Sequence, residues 1–253
     1  MAPAGSDQGG DTTATAVIVA AGSGERLGAG GPKALVEVAG RPLYEWSLVA
    51  CEDAHRIGPI VIAVPPGEAD SFDSGRANLV EGGPNRSDSV ANALEAVETD
   101  LVAVHDAARP LAVPELFDAA VSLLAGSPEL DGVIAASPVS DTVKLVDAEG
   151  LVVETVDRST LRLAETPQVF RTEALRAALL AGDPAAATDD ASLVEANGGR
   201  IGVVEHPLPN PKLTYPGDTE VLEALFERAR GRVPEWSVSG CSTAEPPGEG
   251  EGR

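Results

Sequence analysis

The stretch TAVIVAAGSGERLGAGGPKAL (residues 15–35) joins an apolar run to a glycine-rich loop that ends in Pro-Lys. The apolar run predicts a buried β-strand, because such runs are typical of parallel sheets covered on both faces. Gly22, Gly24 and Gly28 are spaced one residue too widely for the dinucleotide pattern G-x-G-x-x-G. Lys33 follows a proline and precedes an alanine, which excludes a Walker P-loop, whose pattern needs Gly-Lys-Ser/Thr. A flexible surface loop and a ligand-binding loop of another kind both remain open.

The rest of the chain alternates short apolar runs with helical patterns. The predicted strands are TAVIVAA (15–21), PIVIAVP (59–65), LVAVHDA (101–107), GVIAASP (132–138), RIGVVEH (200–206) and a short one at 212–214. Helices are predicted near residues 42–53, 87–98, 114–124, 172–181, 189–197 and 217–230. Strands separated by helix-length segments indicate βαβ units. The predicted fold class is therefore α/β, with a doubly wound, mostly parallel sheet in one domain over residues 15–232.

Residues 140–163 interrupt this alternation. Two β-rich runs flank the sequence DAEG (147–150), which is a hairpin signal. The segment has no core of its own to cover it. It is either an arm that protrudes and pairs with another subunit or an ordinary surface hairpin.

Composition excludes several function classes. The chain has 253 residues and a formal net charge of −22, whereas a general nucleic-acid binder carries a basic surface. Its two cysteines, Cys51 and Cys241, follow no disulfide or zinc pattern. No signal peptide and no membrane-length apolar run is present, so a cytoplasmic protein without membrane contact is expected. The compositions of residues 1–14 and 237–253 predict disordered tails.

The loops that follow the strands carry the candidate binding residues, because ligands of open parallel sheets bind at the carboxyl ends of the strands. Small residues in the glycine loop let backbone N–H groups approach oxyanions, and Arg26 and Lys33 add two positive charges. Pro32 restricts the chain before Lys33 and so fixes the direction of its ammonium group. This pattern suits a triphosphate.

The later loops add further candidates. In EGGPNRSDSVANAL (81–94), Gly83 and Ser89 form either a helix cap with Ser87 or Asp88 as N-cap, or a backbone-lined slot for a planar base. Asp106 stands at a strand end, where a carboxylate can hold Mg²⁺ or another divalent cation. Hydroxyls and cations on the loops beyond it fit a second, phosphorylated polyol substrate. These residues are Arg109, Thr142, Arg158, Thr166, Thr188 and Lys212.

The ordered series AAGSGERLG…PKAL, GG…R…SV…AL, VHDAARP, PVSDTVK, VDRSTL, TPQVF, TDDAS and PKLTYPGD extends over about residues 15–230. In this series the chain resembles the 2-C-methyl-D-erythritol 4-phosphate cytidylyltransferases of the non-mevalonate isoprenoid pathway. The resemblance implies a Rossmann-like nucleotidyltransferase fold. It also implies a homodimer formed through an arm that matches residues 140–163.

The resemblance assigns roles to individual residues. Arg26, Lys33, Arg158 and Lys212 would be catalytic, and Asp106 would hold the metal. The residues expected at CTP are Ala20, Ala21, Gly22, Ser23, Gly24, Arg26, Lys33, Gly83, Ser89, Asp106 and Ala107. Arg109, Thr142, Arg158, Thr166, Thr188 and Lys212 would bind the methylerythritol phosphate. Pro84 departs from the family, which often has an acidic residue there, and it has no N–H to donate.

The implied reaction is attack of the substrate phosphate on the α-phosphorus of CTP with release of pyrophosphate. Two alternatives remain open from the sequence. One is a cytidylyltransferase for another polyol phosphate such as ribitol 5-phosphate, and the other is a non-catalytic nucleotide-binding regulator.

Overall fold

The computed structural model describes residues 12–28, 30–182, 187–206 and 208–230, and within them the side chains of Arg26, Ala229 and Arg230 are not described. The tail predicted for residues 237–253 therefore lies outside the described residues, as does the other tail up to residue 11. The sheet already begins at Ala14, which is completely buried. The first strand thus starts one residue before the predicted start of the domain.

Eleven strands form three sheets in the described part of the chain. In chain order they are β1 (Ala14–Val19), β2 (Glu37–Val38), β3 (Arg41–Pro42), β4 (Ile57–Val64), β5 (Asn78–Glu81), β6 (Leu101–Asp106), β7 (Gly132–Pro138), β8 (Val143–Val146), β9 (Val152–Val156), β10 (Arg162–Arg171) and β11 (Ile201–Glu205). The main sheet has seven strands in the order β11-β7-β10-β6-β1-β4-β5. Strands β2 and β3 form one small hairpin, and β8 and β9 form another.

The main sheet is parallel except for β10, which runs antiparallel to both β6 and β7. The mostly parallel α/β class is thus confirmed. No strand was predicted over the range of β10, and the assignment of Thr166 to a loop is wrong because Thr166 lies within this strand. The prediction of a strand at residues 212–214 is also wrong, because these residues form a connection without strand pairing.

Six helices cover the two faces of the main sheet or lie at its edge in the described part of the chain. They are α1 (Leu43–Asp53), α2 (Arg86–Leu94), α3 (Pro114–Ala125), α4 (Thr172–Ala181), α5 (Asp190–Ala196) and α6 (Asp218–Arg230). Helices α1 and α3 pack on one face with Ile18 and Ile62, and α2, α4 and α5 pack on the other with Val17 and Phe170. Alternate strand residues enter the two cores because successive strand side chains point to opposite faces. Among the described residues, no helix is long and apolar enough to cross a membrane.

A third, smaller apolar cluster joins α6 to the first part of the chain. Its buried members are Leu27, Val38, Leu43, Leu213, Leu222 and Phe226. Leu27 belongs to the glycine loop, and Leu213 directly follows Lys212. Burial of this cluster therefore fixes the glycine loop and the segment around Lys212 to one another.

The hairpin predicted within residues 140–163 is confirmed, with β8 and β9 paired antiparallel around a turn at residues 147–150. It forms no ladder with the main sheet. Several apolar side chains on it are strongly exposed, namely Leu145, Val146, Leu151, Val152 and Val153. Soluble monomers seldom expose adjacent apolar side chains in this way.

The strand order reverses between β1 and β6. From β1 the chain adds β4 and β5 on one side, and β6 then pairs with β1 on the other side. The crevice outside the carboxyl ends of two such strands is where open α/β sheets bind ligands. Val19, the last residue of β1, is in register with Asp106, the last residue of β6. The loops after β1 and β6 therefore leave the sheet side by side.

Candidate active site

The glycine loop folds back on itself above β1. The Lys33 N–H donates to the Gly22 carbonyl at 3.1 Å, and Lys33 begins a short 3-10 helix after Pro32. Gly24 has a φ of 72°, and a Cβ there would lie 3.1 Å from the Lys33 Cβ. A side chain at position 24 would thus be strained and crowded. The loop conformation depends on this glycine and brings Lys33 beside the first residues after β1.

A pocket of about 490 Å³ lies between this loop, the loop after β5 and the end of β6. Residues predicted at CTP that line it are Ala20, Ala21, Gly22, Ser23, Gly24, Lys33, Gly83, Ser89, Asp106 and Ala107. Lys212 also lines the pocket. The structure therefore brings together residues from both ends of the described chain.

Gly83 forms part of one wall of the pocket. A Cβ at Gly83 would overlap the side chain of Asp88, so the chain passes close to α2 only because this residue is glycine. The Gly83 N–H donates to Ser89 Oγ at 3.1 Å, and Ser89 Oγ lies 3.1 Å from the Asn85 carbonyl. The Gly83 N–H and the Ser89 hydroxyl thus both have partners within the protein. What this wall contributes to the pocket is its shape.

The start of α2 differs from the predicted cap. Neither Ser87 nor Asp88 precedes the helix, because α2 begins at Arg86 after Asn85. Asp88 instead accepts a hydrogen bond from the Asn85 N–H at 3.1 Å. This contact belongs to a capping box, in which a side chain of the first turn binds back to the residue before the helix.

The centre of the site is the carboxylate of Asp106, which is held by two cations. Arg86 Nε lies 2.9 Å from Asp106 Oδ1, and Lys212 Nζ lies 2.6 Å from Oδ2. Burial alone would raise the pKa of Asp106, but Arg86 and then Lys212 lower it well below its usual range. Asp106 is therefore a carboxylate anion throughout the physiological pH range.

Arg86 also reaches a second carboxylate. Its Nη1 lies 2.7 Å from Oδ2 of Asp190, the first residue of α5, whose side chain is completely buried. Burial would lower the pKa of Arg86, but Asp106 and Asp190 together raise it. Arg86 occurs within one of the sequence motifs, but no role was predicted for it. The sequence placed Arg86 just before the predicted helix, and it showed neither of the two partners.

Lys33 and Lys212 both line the pocket, and both are tied to the backbone around Leu213. The Lys33 ammonium donates to the Leu213 carbonyl, and the Leu213 N–H donates to the Ala108 carbonyl at 2.8 Å. The Leu213 side chain is completely buried in the third apolar cluster. The backbone between the two lysines is consequently held by burial and by two hydrogen bonds.

His105 supports the end of β6 from beneath the pocket. Its Nε2 lies 3.2 Å from the Arg109 carbonyl, which can only accept, so Nε2 carries the proton. Its Nδ1 then accepts the proton of the Thr166 hydroxyl at 2.9 Å, while that hydroxyl accepts from the Asp106 N–H at 3.1 Å. Burial lowers the pKa of His105 to about 4. Thr166 is 4% exposed, and its single hydroxyl proton is already used within the protein.

The remaining predicted substrate residues do not line the pocket within this chain. Arg109 Nη1 donates to the Asn210 carbonyl at 2.6 Å, beside β10. Thr142, Arg158 and Thr188 are exposed, and Thr188 lies two residues before α5. Arg158 donates to the Ser140 carbonyl at the base of the hairpin. The side chain of Arg26 lies outside the described residues, although its backbone forms a 3-10 turn in the glycine loop.

Two carboxylate residues line the pocket, Asp106 at the end of β6 and Glu25 in the glycine loop. The described residues contain no cluster of three His, Cys, Asp or Glu side chains that could hold a metal ion. Mg²⁺ is usually bound by one or two carboxylates together with substrate phosphates. A carboxylate has about four lone pairs, so Asp106 keeps acceptor capacity beyond its two ion pairs. The donor set thus fits a cation that arrives with a nucleotide.

The fold and the pocket define an α/β protein of the nucleotidyltransferase type, with a glycine loop and several cations around one carboxylate. A model of the 2-C-methyl-D-erythritol 4-phosphate cytidylyltransferase family (IspD) matches residues 14–228. The chain belongs to this family.

Curated relatives and solved structures agree with this membership. The cytidylyltransferase of that name from Frankia casuarinae is 44% identical over 219 residues, which is 84% of this chain and 81% of the relative. The one from Saccharopolyspora erythraea is 41% identical and is matched over 98% of its length and 83% of this chain. The crystal structure of the Thermus thermophilus enzyme superposes with a TM-score of 0.69 at 34% identity, covering 85% of this chain and 100% of that one.

A structure from Anaerococcus prevotii, described as 4-diphosphocytidyl-2C-methyl-D-erythritol synthase, superposes with a TM-score of 0.74 at 29% identity. It covers 86% of this chain and 97% of that chain. The architecture of this chain is thus one that solved structures of the family share over most of their length.

We expect the buried His105 to make folding stability depend on pH. Its pKa of about 4 lies below the unfolded value of 6.5, so the unfolded chain binds the proton first as the pH falls. Stability from this residue is complete above pH 6.5 and decreases by about 1.4 kcal/mol per pH unit below it. Substitution His105→Gln removes this dependence. The gap in unfolding free energy between wild type and variant, measured in urea, should narrow by about 2 kcal/mol between about pH 7 and pH 5. A constant gap would show that the pKa of His105 is the same in the native protein as in the unfolded chain.

Proposed function

We propose that this chain transfers the cytidylyl group of CTP to 2-C-methyl-D-erythritol 4-phosphate, giving 4-diphosphocytidyl-2-C-methyl-D-erythritol and pyrophosphate. The proposal rests on one observation. This chain belongs to the family, and its glycine loop, Asp106 and Lys212 surround a single pocket where the strand order of the sheet reverses. A polyanion is the ligand that such a set of cations and backbone donors accommodates.

The reaction needs no protein nucleophile. An oxygen of the substrate phosphate attacks the α-phosphorus of CTP, the new P–O–P bond forms, and the bond to the β-phosphate breaks as pyrophosphate leaves. The second pKa of a phosphate monoester is about 6, so the attacking group is already largely a dianion and requires no strong general base. The protein's contribution is to position both substrates and to stabilise developing negative charge.

The residues of the pocket divide this work. The glycine loop offers backbone N–H groups to the triphosphate, and Lys33 and Arg26 stabilise charge on the phosphates. Lys212 lies opposite and receives the phosphate of the polyol. In the free protein the Lys33 ammonium donates to the Leu213 carbonyl, and the Lys212 ammonium donates to the Asp106 carboxylate. Phosphate oxygens replace these protein oxygens when the substrates bind. The cations are thus oriented before the substrates arrive.

We further propose that Mg²⁺ or another divalent cation accompanies the triphosphate and that Asp106 is its protein ligand. When bound, such a cation neutralises phosphate charge and orients the α-phosphate for attack. Ionised Asp106 is suited to this role at neutral pH. A cytoplasmic location stays a prediction from the sequence.

The arm supports a homodimer with shared active sites. Its apolar side chains are exposed, and its β8–β9 ladder is separate from the main sheet. Two arms related by a two-fold axis would cover these side chains and their open edges. Thr142 and Arg158, which lie on or beside the arm and not in this chain's pocket, would then reach the pocket of the partner subunit.

The substrate prediction is tested with the purified protein, CTP and Mg²⁺. We expect pyrophosphate release with 2-C-methyl-D-erythritol 4-phosphate and much slower release with ribitol 5-phosphate. The family membership favours 2-C-methyl-D-erythritol 4-phosphate over ribitol 5-phosphate. Faster turnover of ribitol 5-phosphate would assign the chain to another polyol phosphate. Binding of CTP without pyrophosphate release from any of the polyol phosphates would favour a non-catalytic regulator.

The role of Lys33 is tested by Lys33→Ala. We expect kcat to fall by about two to three orders of magnitude, because one preorganised cation that stabilises charge in the transition state is lost. Lys33→Arg keeps the charge and serves as the conservative comparison, and it should retain more activity than the alanine variant. A Lys33→Ala enzyme with a normal kcat and only a raised KM would contradict this role.

The shared-site prediction is tested by mixing two inactive variants. If Arg158 serves the pocket of the partner subunit, a heterodimer of Arg158→Ala and Lys33→Ala chains has one site with both lesions and one site with neither. We expect the mixture, after subunit exchange, to recover up to about a quarter of wild-type activity, because half of the dimers at random are mixed and each has one intact site. A dimer without recovery would place both residues at the same site of one chain. A monomer at micromolar concentration in sedimentation would remove the shared site altogether.

A further inference from the structure

We infer that Arg86 is a positioning residue that releases Lys212 for the substrate phosphate, an inference that rests on the function proposed above. Arg86 is the permanent counter-ion of Asp106, so Lys212 can leave that carboxylate without stranding a buried charge. The same guanidinium ties the pocket to the loop that carries Thr188. No role in the reaction was assigned to Arg86 from the sequence.

The two ion pairs of Asp106 differ in how firmly their cations are held. The side chain of Arg86 is 26% exposed and bonded to two carboxylates, whereas that of Lys212 is 40% exposed. Nε and Nη1 of the planar guanidinium are directed to Asp106 and Asp190 respectively. A guanidinium held in two directions at once has little freedom to follow a ligand, whereas an ammonium on a flexible stem can move.

Lys212 has to exchange partners if it binds a substrate phosphate. The Asp106 side chain is only 9% exposed, and an unpaired carboxylate in such a place is costly. With Arg86 at 2.9 Å, the carboxylate stays paired while Lys212 moves. Without Arg86, Lys212 would be the one protein cation left at Asp106 among the described residues, beside the proposed divalent cation, and Asp106 would hold it more firmly. The substrate phosphate would then have to compete with a buried carboxylate for the same ammonium.

Arg86 also connects the pocket to the segment before α5. Asp190 is completely buried, and Arg86 is its salt-bridge partner among the described residues. Next to it, Asp189 accepts from Gln168 Nε2 at 2.8 Å, and the Ala191 N–H donates to Gln168 Oε1 at 3.3 Å. Thr188 directly precedes this pair of aspartates. Arg86 and Gln168 together therefore fix the position of the Thr188 loop relative to Asp106.

The test uses Arg86→Gln in the full chain, with the wild-type enzyme assayed first. We expect KM for 2-C-methyl-D-erythritol 4-phosphate to rise by about ten-fold or more, while the Kd of CTP measured by calorimetry changes by less than about three-fold. Unchanged kinetics, or an equal weakening of both substrates, would overturn the inference. A wild-type enzyme without turnover would instead refute the proposed function, and this is seen before any variant is compared.

Arg176→Gln is the matched control for loss of helix stability. Arg176 donates to the Leu94 and Val97 carbonyls at 2.9 and 2.8 Å, so it supports the other end of the same helix, α2. Its loss should lower Tm and leave both substrate affinities unchanged. If Arg176→Gln raised the KM of the polyol phosphate as much as Arg86→Gln does, a loosened α2 would explain both and the inference would fail.

A double variant distinguishes the effect of Arg86 on Asp106 from its effect on Asp190. In Arg86→Gln/Asp190→Asn the buried charge at position 190 is removed along with its partner, so Tm should recover part of the loss seen in Arg86→Gln. KM for the polyol phosphate should stay raised, because Arg86 is still missing from Asp106 and this carboxylate still retains Lys212. Recovery of KM together with Tm would show that Arg86 acts only by neutralising Asp190, and it would overturn the inference.

Discussion

The parallel pairing of β1 with β6 is the constraint on which the site depends. It places Val19 in register with Asp106. The glycine loop and the Asp106 carboxylate therefore lie side by side at the carboxyl ends of these two central strands. Because the strand order reverses here, the crossover helices lie on opposite faces and leave the crevice open. A shift of this register would separate the backbone donors of the loop from the carboxylate. The chemistry of the pocket therefore follows from a hydrogen-bond ladder that contains none of its cations.

The distribution of charge gives the pocket its selectivity for anions. A chain with a net charge of −22 repels polyanions over most of its surface, and the attraction has to be local. Lys33 and Lys212 supply it beside one buried carboxylate. Each of these cations contacts a protein oxygen in the free protein, which fixes its direction without an uncompensated charge. Binding then exchanges one set of oxygens for another and needs little reorganisation, which is the condition under which electrostatic stabilisation is most effective.

Sequence reasoning was successful where the signal is local and failed where it depends on tertiary contacts. Apolar runs of strand length and the glycine loop predicted the sheet and one wall of the pocket, because both depend on neighbouring residues. Strand β10 was missed because its first residues, from Arg162 to Glu165, mix charged and apolar side chains and are mostly exposed. An antiparallel strand also follows no βαβ rhythm. Arg86 received no role because it was placed in the loop before the predicted helix, where it looks like any polar residue. Its partners lie 20 and 104 positions away.

The position of Lys212 shows how a remote apolar cluster contributes to the chemistry. Leu213 is completely buried with Leu222 and Phe226 of α6, and its own N–H and carbonyl bind the Ala108 carbonyl and Lys33. The backbone at Lys212 is thus fixed from one side by burial and from the other by hydrogen bonds, while the side chain can turn between oxygens. A flexible ammonium on a rigid backbone can exchange Asp106 for a phosphate with no movement of the fold. Helix α6 therefore acts on the reaction through packing, although none of its side chains needs to touch a substrate.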